Sequence, residues 1–344
     1  MKSRFIYLLL AVALFTGLSA CNEATEEKKV DVSDIKITLN VKPFYKDFAA
    51  LDTERFGEAL GGLKNKYPEF TDFFLDTLLP FDRVGGAYND REATAAIKNI
   101  FVFKDYKHLT DTVLKVFPGT KQYDEAIAEM LQHTRYYFPK WQLPVELTYF
   151  VSCLNRWTAF TNDKVLGIGL DMFLGPDFKP YEALGMPQYA LINHTPENIP
   201  LWAARAVYQD NSGNSPYRKD LLELMIANGK EIFFLRKVLP DFKFNLIMGY
   251  TPEQLKWCEA NEAMVFNLFL QQNLLFNKDY QTIMRYVTPG PNSAGFPPEA
   301  PGNLGTFIGY KILKAYENKT GKTVAEIMAD EDANSIFQQS KYKP

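Results

Sequence analysis

The first residue whose type and setting could do chemistry is Cys21. It stands behind Leu18-Ser19-Ala20, and before that come a short basic start (Lys2, Arg4) and the apolar run from Phe5 to Gly17. That run is too short to cross a hydrocarbon layer of about 30 Å with polar ends, and its order of charge, apolar core and small residues is that of an export signal. Small side chains before the cut let a peptidase seat an extended chain. The cysteine then supplies a thiolate able to take lipid, which a plain secretory signal does not need. The expectation is an exported lipoprotein, with residues 1–20 a signal peptide and Cys21 carrying membrane lipid, palmitate among its acyl groups. Several acyl chains hold a protein firmly where one holds it weakly.

Two carboxylates come next. Thr251-Pro252-Glu253-Gln254 reads as a capping box with proline at the first helical position. In the helix it opens, Leu255, Cys258, Val265, Phe266 and Phe269 share one face, and Glu262 falls on that same stripe. A carboxylate facing a core needs a cation or a ligand, and Arg205 is the expected partner. Asp171, in Gly169-Leu170-Asp171-Met172-Phe173, could face Glu262 as an acid–base pair, although an ion pair or a buried structural carboxylate explains each residue as well.

Other chemistry is excluded by counting. The three histidines, His108, His133 and His194, never stand four apart around a glutamate, the spacing a helical zinc site requires. No Gly-x-Ser-x-Gly elbow occurs, and Gly302-Asn303-Leu304-Gly305 lacks the lysine of a phosphate loop. Gly305 and Gly309, four apart on a helix, suit close helix packing. No metal, no cofactor and no catalytic residue are expected.

Cleaving residues 1–20 removes Lys2 and Arg4 from the 38 basic residues, leaving 36 against 41 acidic, a net charge of −5 over 324 residues. That balance argues against nucleic acid as a partner. Residues 21–34 are mostly polar and read as a tether, followed by one globular domain over 35–344. Cys153 and Cys258 are left as thiols, and nothing in their spacing shows whether they meet.

Positioning these residues falls to a mostly helical chain. Ile35 to Leu39 alternates as a strand would. Helical stripes follow: Phe56, Leu60, Leu63, Tyr67, with Asp52 as cap; Phe70, Phe73, Phe74, Leu78; Ala93, Ile97, Ile100; and Tyr123 to Phe138. Strands are expected at Val145–Val151 and Val165–Phe173. Helices then resume after Thr195-Pro196, from Pro216 through Met225, from Thr251 to Phe269, and over Gly302–Tyr316. The order of helices, a small sheet, then helices predicts a predominantly helical α+β fold.

Several runs together carry a family resemblance. They are Gly167 to Gly175, Met248-Gly249-Tyr250-Thr251-Pro252, Trp257 to Glu262, Pro301-Gly302-Asn303-Leu304-Gly305-Thr306-Phe307-Ile308-Gly309-Tyr310, and the ending Ser340-Lys341-Tyr342-Lys343-Pro344. With the cysteine box these resemble the gliding-motility lipoprotein GldB family. The resemblance implies an envelope lipoprotein, anchored to the outer membrane and facing the periplasm or the surface, with motility, secretion or envelope proteins as partners. The order of strands, helices and a late glutamate also resembles zincin-like metallopeptidases, with Glu262 in the place of a ligand and the histidine pair missing. That resemblance implies a zincin-like domain that binds without catalysis, with Asp171, Arg205, Glu262 and Tyr310 lining a remnant cleft. The competing readings are a zinc-free hydrolase using Asp171 and Glu262, and a glycan-binding lipoprotein using the abundant aromatics.

Overall fold

The computed structural model describes residues 29–79, 90–212 and 220–344. The signal and the cleavage site lie outside them, as does Pro216. Asp31–Pro344 form one compact unit. It is α+β and predominantly helical, with one four-stranded mixed sheet.

β1 (Asn40–Lys42) is short and runs parallel to β2 (Glu146–Phe150), with Val41 opposite Leu147. The expected strand over Ile35–Leu39 is not there. Ile35, Ile37 and Leu39 do alternate, half-buried against exposed neighbours, but ladder pairing begins only at Asn40. Alternation reports which side of an extended chain is covered; a strand also needs a partner. Between β1 and β2 the chain makes the expected helices at Phe56–Lys66, Pro68–Phe73 (continued by a π-turn to Leu78), Asp90–Val102 and α1 (Lys121–Tyr137), and a further one, not expected, at Lys104–Val116. Asp52 does not cap the first of these. It accepts from the N–H groups of Glu54 and Arg55 in a turn that ends before the helix starts. Phe44, Phe48, Phe70 and Phe74 interlock edge to face in the core of this half.

β2 sits between β1 and β4 (Val165–Gly169), parallel to both, while β3 (Ala159–Asn162) lies antiparallel on the outer side of β4. A strand paired on both edges and covered on both faces reads as an apolar run, as Leu147-Thr148-Tyr149-Phe150 and Leu166-Gly167-Ile168 do. The expected second strand ends at Gly169, not Phe173. A Cβ on Gly169 would lie 2.0 Å from the Trp157 carbonyl oxygen, and beyond this contact the chain turns into a 3-10 segment, Leu170–Met172.

The C-terminal half is built on helices. α2 (Ile199–Asn211) packs on β3, β4 and α1, preceded by a 3-10 turn over Pro196–Asn198. α3 (Leu221–Val238) starts at Leu221, where Asp220 and Glu223 exchange side-chain and backbone hydrogen bonds as a capping box. The box at Thr251 and Gln254 closes as expected and opens α4 (Pro252–Ala260). The single helix expected from there to Phe269 breaks at Asn261, and α5 (Glu262–Gln271) resumes after it.

α6 (Leu304–Thr320) crosses α3, and α7 (Ala333–Ser340) lies on α6. The crossing is made by glycines. A Cβ on Gly309 would stand 1.8 Å from the Met225 carbonyl oxygen, and one on Gly229 would stand 2.6 Å from the Gly309 carbonyl carbon. Backbone meets backbone there, so neither position has room for a methyl group. Overpacking that cannot be relieved by a rotamer change costs about 1–3 kcal/mol or more. Gly309→Ala is expected to lower unfolding stability by at least about 2 kcal/mol, whereas Gly61→Ala, a helical position with open space around it, should raise it by up to about 1 kcal/mol. Chemical denaturation of both variants measures this, and a neutral Gly309→Ala would contradict the crossing.

Candidate functional site

The four expected cleft residues do not converge. Asp171 is fully buried under the end of β2. Its carboxylate accepts from the Ser152 N–H (2.9 Å), the Ser152 hydroxyl (3.0 Å) and the Leu154 N–H (2.6 Å), while the Tyr181 hydroxyl donates to its carbonyl at 2.7 Å. The loop it holds carries Cys153 and Leu154 at φ 58° and 59°, a left-handed conformation that an L side chain adopts only when held. Burial pushes the Asp171 carboxyl above the usual range against the pull of these donors. Its geometry is that of a staple.

Glu262 corrects the expected pair with Arg205. Lys311, on α6, meets its Oε2 at 2.9 Å, and the Tyr342 hydroxyl donates to Oε1 at 2.8 Å. Through these two contacts Glu262 ties α5 to α6 and to the C-terminal residues. Tyr310, beside Gly309, is buried against the Phe244 ring, 4.8 Å between centroids. Asp171, Glu262 and Tyr310 are absent from the lining of the cleft in which Arg205 stands.

That cleft, about 330 Å³, lies where α2, α3, the turn at Met248–Tyr250 and the start of α6 meet. Arg205 reaches across it to Glu231 of α3, donates to the Ile247 carbonyl at 2.8 Å, and lies over the Trp202 ring at 5.9 Å. Asn228, immediately before Gly229 on α3, donates to the Val287 carbonyl (3.1 Å) and to the Thr306 hydroxyl (3.3 Å), which in turn donates to Asn303. Asn303 begins α6 at φ 63°, within the small set of residues that tolerate the left-handed region. Tyr250 donates to the Gly302 carbonyl at 2.9 Å. Asn193 donates to the Leu246 carbonyl at 2.7 Å and is 6% exposed, yet its Oδ1 has no hydrogen-bond partner among the described residues.

Sequence reasoning found Arg205 and missed Glu231, Asn193, Asn228 and Asn303. A signal was present: the runs Met248-Gly249-Tyr250 and Gly302-Asn303, rich in turn residues and aromatic, both line this cleft. A wider hollow of about 510 Å³ at the β3–β4 turn is lined by Phe73, Phe160 and the exposed loop residues Asp163 and Lys164, with no buried polar group turned into it.

Among the described residues no group of three or more His, Cys, Asp or Glu side chains could hold a metal ion. Cys153 and Cys258 are free thiols, and burial pushes both up, Cys258 to about 12. His194 is buried between Tyr181 and Trp202, with Nδ1 at 2.7 Å from the Met172 carbonyl.

The sequence model described as gliding motility protein GldB matches residues 25–344. The chain belongs to the GldB family. No curated protein and no solved structure matches it. Within the described residues of this GldB-family protein, no helix is long and apolar enough to cross a membrane.

Two outcomes test the site's electrostatics. Asp171→Ala leaves two backbone N–H groups and a hydroxyl unmatched in the core, so a loss of about 3 kcal/mol or more is expected in denaturant unfolding. Glu262→Ala, at a partly exposed pair, should lose only about 1–2 kcal/mol. Equal losses would contradict the difference in burial. The second outcome concerns pH. Burial lowers His194 below its ordinary 6.5, opposed by the Met172 carbonyl. The unfolded chain therefore binds this proton first, so the contribution of the neutral ring is present above about pH 6.5 and is lost as pH falls through the folded value. The stability difference between wild type and His194→Gln should shrink on acidification below pH 6.5. A constant difference from pH 7.5 to about 4.5 would show that burial does not hold the ring neutral.

Proposed function

We propose that this GldB-family chain is an envelope lipoprotein that serves gliding motility by binding, held to the outer membrane by lipid on Cys21, with motility, secretion or envelope-assembly proteins as its partners. The family match over residues 25–344 carries the motility assignment. The cysteine box supports the anchor. The binding reading rests on the cleft around Arg205, where the guanidinium is matched by Glu231 and the rest of the polar lining is amide and hydroxyl. Such a lining orients a ligand through hydrogen bonds; proton transfer would need an acid or base held apart from its counter-charge. Asp171 and Glu262, the pair invoked for a hydrolase, are each engaged by structural partners elsewhere. Zincin-like order survives in this proposal only as a scaffold, with α2 standing where a histidine pair would be.

The test is complementation of a gliding bacterium lacking its own GldB-family gene. Wild type should restore colony spreading and cell movement. Cys21→Ser should accumulate unprocessed or soluble and fail to restore either, by membrane fractionation and microscopy. Glu231→Gln should anchor normally and still fail. Normal membrane partition of Cys21→Ser would sink the anchor, and full rescue by Glu231→Gln would sink the cleft as the working surface.

A further inference from the structure

The geometry points to a neutral saccharide of one or two rings as the ligand of the Arg205–Glu231 cleft, an assignment that rests on the cleft being the working surface. Charge comes first. Among the described lining residues only Arg205 and Glu231 are charged, and they neutralise each other. An anionic or cationic ligand would have to break that pair and leave a desolvated charge behind. A neutral ligand can bridge it, giving an acceptor to the guanidinium and a donor to the carboxylate. A sugar hydroxyl does both at once.

Next is what the cleft still offers. Four backbone carbonyls at the cleft are already engaged: Leu246 by Asn193, Ile247 by Arg205, Val287 by Asn228 and Gly302 by Tyr250. Their engagement disfavours a peptide laid down as an added strand, the mode that depends on main-chain hydrogen bonds. The side-chain polar lining is mostly planar, a guanidinium, a carboxylate and the amides of Asn193, Gln254 and Asn303, and each already holds a hydrogen bond within the chain. The second polar atom of the Gln254 and Asn303 amides, and the remaining N–H groups of Arg205, can meet the hydroxyls of a pyranose ring.

Two further observations fit the same class. Asn193 stands in the cleft wall, and its buried Oδ1 has no partner among the described residues, which costs about 1–3 kcal/mol while no donor reaches it. Trp202 and the half-exposed Tyr189 supply aromatic surface at the rim, suited to the C–H face of a sugar ring. The volume, about 330 Å³, is at the small end of ligand sites, room for a mono- or disaccharide and no more.

The experiment is calorimetric titration of the full-length protein in a phosphocholine detergent, which avoids sugar headgroups. The probes are glucose, galactose, N-acetylglucosamine, their β-1,4 disaccharides, and the peptides Ala-Ala and Gly-Gly-Gly. At least one saccharide should bind saturably, and Glu231→Gln and Asn193→Ala should weaken it by about tenfold or more. Gly61→Ala should leave it unchanged, and unaltered circular dichroism of the variants shows that the loss is local. Binding of the peptides alone, no saturable binding by any sugar, or sugar binding that survives both cleft variants overturns the assignment. Failure here is distinct from failure of the parent reading. If no sugar binds while Glu231→Gln still abolishes gliding, the cleft stands and the saccharide falls; if Glu231→Gln glides normally, the cleft itself falls.

Discussion

The crossing of α6 over α3 at Gly229 and Gly309 is the constraint on which the C-terminal half depends. With backbone against backbone, the two helices have no freedom to slide or rotate, because any side chain there would overlap a carbonyl. Close approach fixes what stands one turn away. Asn228 and Glu231 on α3 and Thr306 on α6 are held at one wall of the cleft, and Asn228 bridges the helices through Thr306. A looser crossing, with leucines in place of glycines, would separate these groups by several ångströms.

The second theme is the use of carboxylates to fix loops and ends. Asp220 and Glu223 start α3, Asp171 holds the left-handed turn after β2, and Glu262 gathers Lys311 and Tyr342 onto α5. The three differ in burial, and that sets their weight. Asp171 is out of solvent altogether, and its three donors are nearby N–H and O–H groups without full charge. That arrangement satisfies a buried carboxylate without bringing a cation into the core, where desolvating a second ion would cost as much as the pair returns.

The runs that carry the family resemblance divide into two sets in space. Met248-Gly249-Tyr250 and Gly302-Asn303 meet at the cleft, from opposite sides of α3. Trp257 to Glu262 and Ser340 to Pro344 meet instead at the Glu262–Tyr342 contact, where the Tyr342 ring packs on Phe266 at 5.0 Å. One set builds a recess and the other fastens the chain end. This explains how a run of unusual residues can be prominent in sequence and have no part in the site.

What the sequence determined by itself is whatever depends on neighbours within about four residues. The stripes of Phe56 to Tyr67 and Tyr123 to Phe138 became helices, the Thr251 box closed, the Gly305/Gly309 spacing marked a close crossing, and the polar balance was plain. Each follows from helical period, capping chemistry or residue size, all of which act locally. Tertiary structure alone decided the rest. Ile35 to Leu39 alternates and found no ladder partner, since pairing depends on β2, more than a hundred residues away. Glu262 met Lys311 of α6, and Arg205 was left to Glu231 of α3. A helical wheel gives the face a side chain stands on, and not which cation the neighbouring helices bring to that face. Which charge answers which across two helices is set by their crossing, and no spacing along the chain contains it.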